Sequence, residues 1–168
     1  LSLIILIPFD LNTVDSTQNT PTKTKGKSGL IETLIEVGKK YLKDSGPTRD
    51  AAAFFIAKLF TRKDLHGSGY LLSFSVWAGD VLHNPKTSVW LITGTLQALA
   101  GILRLVPRDC LTEALPKISE AAIIKNKWLK GGSSLLRKLS MKVVQRASLA
   151  LLPIKVAPWR YQRGHRLL

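Results

Sequence analysis

Acid is scarce in this chain relative to base. It carries 11 Asp and Glu against 25 Lys and Arg, a formal net charge of +14. It has a single cysteine, Cys110, so no internal disulfide is available and a reducing compartment is the simple expectation. A lone thiol on an apolar helix reads as core. The three histidines, His66, His83 and His165, have no second ligand at zinc spacing and read as solvent-facing or capping groups. Asp50, Asp64, Asp80 and Asp109 are scattered one per helical unit, and nothing pairs them for acid–base chemistry. Gly26-Lys27-Ser28 resembles the end of a phosphate loop, but the required first glycine is Pro21 and the lead-in is polar rather than a buried strand. No apolar run approaches the roughly 20 residues of a membrane span. The expectation is a chain with no catalytic residues, no cofactor and no metal.

Apolar residues make up 45% of the chain, enough for a core. They recur at helical rather than alternating spacing. Leu30, Leu34, Val37 and Tyr41 form one stripe, with Ile31 and Ile35 beside it. Ala52, Phe55, Ile56, Leu59 and Phe60 form a second, after a break at Ser45-Gly46-Pro47. Tyr70, Phe74, Trp77, Ala78 and Val81 form a third, closed by His83-Asn84-Pro85. Val89, Ile92, Leu96, Leu99 and Leu103 follow and stop at Pro107. Leu111, Leu115 and Ile118 are a weaker set, disturbed by Pro116. After Gly131-Gly132-Ser133-Ser134, with its N-cap chemistry, come Leu136, Leu139, Val143, Ala147 and Leu151. Pro153 and Pro158 end that section, and a last helix is expected from about Trp159.

These helices, joined by short breaks, predict antiparallel helix pairs over 1–168, with an exposed polar loop at about 12–28. Periodicity alone leaves a solenoid and a compact bundle both open. Residues 1–7 read as the tail of a helix ended by Pro8, in a fragment or a truncated gene product.

The charge is uneven. Every acid lies at or before Glu120, and the remaining chain is basic. Lys138, Lys142 and Arg146 stand at i, i+4 and i+8, one basic stripe with no acid on its helix to relieve it. Trp159-Arg160-Tyr161-Gln162-Arg163 interleaves aromatics with arginines, with Trp159 expected inside and Arg160 and Arg163 outside. These five cations are the candidate partner-binding residues, and an acidic partner is implied.

Several segments in register carry a resemblance. They are Leu6-Ile7-Pro8-Phe9-Asp10-Leu11, Thr48-Arg49-Asp50-Ala51-Ala52-Ala53, Gly94-Thr95-Leu96-Gln97-Ala98-Leu99-Ala100 and Asp109-Cys110-Leu111. Leu135-Leu136-Arg137-Lys138-Leu139, Lys142-Val143-Val144-Gln145-Arg146 and Pro158-Trp159-Arg160-Tyr161-Gln162-Arg163-Gly164 follow. In this order and spacing the chain resembles the N-terminal part of the tubulin-folding cofactor D family. The resemblance implies an all-α, HEAT/armadillo-like α-solenoid and a non-catalytic β-tubulin-binding scaffold, cytoplasmic and microtubule-associated. It implies heterodimer assembly with cofactors C and E, promotion of GTP hydrolysis by tubulin within that complex, and an Arf-like small GTPase as a further partner. The alternatives are a basic helical module for nucleic acid or an anionic membrane surface, and a non-functional truncated copy.

Overall fold

A computed structural model describes residues 25–122 and 133–152 of the 168. Among the described residues there are helices and no strand. They are α1 (Lys25–Tyr41), α2 (Pro47–Leu59), α3 (Tyr70–His83), α4 (Val89–Leu105), the single turn α5 (Arg108–Leu111), α6 (Leu115–Ala122) and α7 (Ser134–Leu151). A short 3-10 turn, Lys63–Leu65, lies between α2 and α3. In it Arg62 donates to both carboxylate oxygens of Asp64, at 3.0 and 2.9 Å, and holds that carboxyl below the usual range.

The helix ends follow local chemistry. Pro47 enters the first turn of α2, where its missing N–H costs nothing. Gly46 before it has φ 66° and ψ −143°, a backbone setting that side chains resist. The Ser88 hydroxyl accepts from the Leu91 N–H at the start of α4, and Ser133 accepts from Leu135 N–H at the start of α7. Pro116 falls in the first turn of α6 and opens that helix. The expected disturbance is thus a helix boundary, and Leu111, Leu115 and Ile118 are all core.

Packing follows helix pairs. α1 packs on α2, α3 on α4, and α6 on α7. Between pairs, α2 packs on α4 and α4 on α7, while α3 packs on α6. The second helices of the pairs make one row and the first helices the other, which is the layering of an α-solenoid. The expected fold stands. Phe55, Ile56, Leu59 and Leu99, predicted as core, are buried. Phe60, Phe74 and Trp77 form a chain of rings with centroids 5.5 and 5.3 Å apart, and Lys39 of α1 lies over Trp77 at 4.8 Å.

Three sequence expectations shift. The helix α1 begins at Lys25, inside the loop expected to reach Ser28, whose remaining residues lie outside those described. Its inner row is Ile31, Ile35, Gly38 and Leu42, so Leu30, Val37 and Tyr41 are exposed. Gly38 decides this. A methyl group there would stand 2.7 Å from Ile56 Cγ1, so α1 meets α2 along a glycine that an apolar count passes over. Leu151, expected in the α7 stripe, is 62% exposed. The buried row of α7 stops at Ala147, and its last turn is held instead by Arg108, which donates to the carbonyls of Leu149 and, at 3.0 Å, Leu152. A cation at a helix C-terminus is favourable, and α7 has none of its own in its last turn. The expected short helical tail 1–7 and the last helix from Trp159 lie outside the described residues.

Candidate functional site

The row α2–α4–α7 carries the most chemistry. Its three helices line a groove of about 500 Å³. The floor is made of small residues, Ala53 and Ala57 from α2, Ala100 and Gly101 from α4. Smallness is required here. A methyl group on Gly101 would come within 2.9 Å of the Ala57 Cβ, so α2 and α4 approach closely.

Five cations line the groove, Arg49 and Lys58 on α2, Arg104 on α4, and Lys142 and Arg146 on α7; Asp50 is the one carboxylate in its lining. Asp50 sits in the first turn of α2, where a negative charge is favourable. It accepts from Gln97 Nε2 at 3.0 Å and meets Arg49 at 3.4 Å. Arg49 is only 8% exposed, and its Nε has no hydrogen-bond partner among the described residues. Arg146 is half-buried and donates to the Ala100 carbonyl. Burial and the neighbouring charge of Arg104 lower its pKa, although a guanidinium this basic stays charged. Arg104 and Lys142 are exposed and make no ion pair among the described residues. At one wall, Phe54 is 54% exposed, with Lys58 at 5.7 Å from its ring centre, and Leu135 is exposed at the other.

The structure divides the predicted basic stripe. Lys142 and Arg146 line the groove, whereas Lys138 is exposed and outside it. Each i, i+4 step advances about 40° around a helix, so the three residues spread over roughly 80°. The row facing the groove is Leu135, Leu139, Lys142 and Arg146. Arg146 is also not a free surface charge, because its guanidinium is committed to α4. Arg160 and Arg163 lie outside the described residues.

Arg49, Lys58 and Arg104 were not singled out from the sequence as site residues. A signal existed for the first. Arg49-Asp50 and Gln97 belong to two of the segments that carried the family resemblance, and the fold joins them by hydrogen bonding. Of the histidines, His83 contacts the Gly79 carbonyl at 2.8 Å near the end of α3. His66 caps the C-terminus of the 3-10 turn, its backbone N–H donating to the Lys63 carbonyl, while its ring Nε2 is buried and without a partner among the described residues. Cys110 is partly buried against the core. Among the described residues no cluster of His, Cys, Asp and Glu is arranged to hold a metal, and no helix is long and apolar enough to cross a membrane.

Comparison with known proteins agrees with the pattern of segments. A family model described as "Tubulin-specific chaperone D-like, ARM repeat" matches residues 1–82. The protein named tubulin-folding cofactor D in Schizosaccharomyces pombe is 29% identical over 168 residues, covering 96% of this chain and 14% of that protein. The protein named tubulin-specific chaperone D in Dictyostelium discoideum is 24% identical over 186 residues, covering 97% of this chain and 13% of that protein. The chain therefore spans a small part of the length of the curated relatives it matches. No solved structure matches.

Proposed function

We propose that the chain, which is similar to proteins named tubulin-folding cofactor D and tubulin-specific chaperone D, forms part of a non-catalytic helical scaffold for tubulin folding. Its partner on this view is β-tubulin delivered after the chaperonin, and its task is assembly with α-tubulin into the heterodimer. Cofactors C and E join it there, an Arf-like small GTPase is a further partner, and stimulation of GTP hydrolysis by tubulin is a property of that assembly. The setting is the cytoplasm, in association with microtubules.

One observation carries this proposal, the similarity to a protein named tubulin-folding cofactor D along 96% of the chain. The fold supports it physically. Among the described residues, a row of packed helices offers an extended surface to a large folded partner.

The test is direct capture. The immobilised chain is presented with chaperonin-released β-tubulin, with assembled heterodimer, with duplex DNA and with anionic liposomes, at low and physiological salt. Saturable retention of β-tubulin that persists at physiological salt is expected. Binding to DNA or liposomes that collapses with salt, with no retention of tubulin, would replace the proposal with the basic-module alternative.

A further inference from the structure

The groove between α2 and α7 combines two kinds of lining that do not usually serve the same ligand. One is cationic and contains three guanidinium groups, from Arg49, Arg104 and Arg146. Guanidinium forks match carboxylates in paired hydrogen bonds. The other is apolar, with Phe54 and Leu135 exposed at opposite walls over a floor of alanine and glycine. Arg104 and Arg146 are close enough to repel, and no acid among the lining residues lies on α4 or α7. The one lining acid, Asp50, is already engaged by Arg49 and Gln97. The groove is therefore short of negative charge and of apolar cover at once.

We infer that this groove takes an acidic peptide segment of a partner protein, its carboxylates on the exposed Arg104 and Lys142 and an apolar side chain between Phe54 and Leu135. Charge complementarity selects an acidic ligand. The apolar walls and the local extent of about 500 Å³ select a peptide over a nucleic acid. A nucleic acid needs a track of cations along its backbone, and it has no aliphatic side chain for Leu135 and the alanine floor. The inference rests on the chain being a binding scaffold, but not on tubulin being what it binds.

The probe is a fluorescein-labelled decapeptide of eight glutamates and two phenylalanines, followed by anisotropy on the whole chain. Its comparators are the same peptide with glutamine in place of glutamate, and a ten-residue thymidine oligonucleotide. Saturable binding of the acidic peptide alone is expected. The double variant Arg104→Gln, Lys142→Gln should weaken it by about tenfold or more. Lys138→Gln removes a like charge outside the groove and should weaken it by less than about twofold. Both changes are at exposed positions, and thermal melts check that the fold is retained. Should the double variant melt early, a decapeptide carrying benzoylphenylalanine decides the matter on the parent chain, where cross-links should map to Phe54 and Leu135. Equal losses in the two variants, cross-links elsewhere, or tighter binding of the oligonucleotide would overturn the inference. Tubulin capture by the double variant, with the peptide lost, removes the groove from that function without touching the function itself.

Discussion

The two faces of α4 are held by different physics. Towards α2 and the end of α1 the contact is made of small residues and close backbone approach. Ala53, Ala57 and Gly101 are used there, and a methyl group on Gly94 would stand 2.1 Å from the carbonyl oxygen of Leu42. Towards α7 the buried row is Leu136, Leu139, Val143 and Ala147, and the Arg146 guanidinium donates to the Ala100 carbonyl of α4. At Gly94 and Gly101 the first interface has no room for an added methyl group. The second is built of aliphatic side chains and one arginine. It is also the side on which the groove opens.

The largest expected effects come from removing side-chain volume in α2 and in α7. Phe55→Ala, at a residue 9% exposed in α2, should lower stability by about 3–5 kcal/mol. Leu139→Ala, on the groove-lining row of α7, should fall at the low end of its class, about 2 kcal/mol. Urea unfolding of both variants measures the difference, and equal costs would erase it.

Adding volume is the next test. Gly94→Ala drives a methyl group into the Leu42 backbone and should destabilise by about 1–3 kcal/mol or more. Gly29→Ala, in α1 with nothing within 4 Å, should do the opposite and stabilise by roughly 0.5–1 kcal/mol. Opposite shifts in melting temperature are the expected result. Shifts of the same sign would show that close approach at Gly94 is not what holds α4.

The smallest effect sharpens the picture of α7. Arg108→Gln should release the last turn of α7 at a cost of about 0.5–1.5 kcal/mol. Amide hydrogen exchange should speed up there and remain unchanged in α2. Uniform acceleration through both helices would mean that the two faces unfold as one unit.

The sequence by itself determined the helices and most of their ends. Proline, glycine and serine act within a few residues of where they stand, so the starts and stops at Pro47, Pro107 and the break Gly131-Gly132-Ser133-Ser134 could be assigned directly. The buried rows of α2 and α4 were legible as well, because apolar side chains at helical spacing have one way to be covered. Tertiary structure decided the rest. Which side of α1 faces inward depends on Gly38 having room against Ile56, a contact between helices that leaves no apolar mark in the sequence. The basic stripe was visible as a spacing, yet its division, with Lys138 outside and Lys142 and Arg146 beside Arg49 and Arg104, depends on how α7 is rotated against α4. Charges from three helices become one site only when packing sets those helices side by side, and no local pattern encodes that rotation.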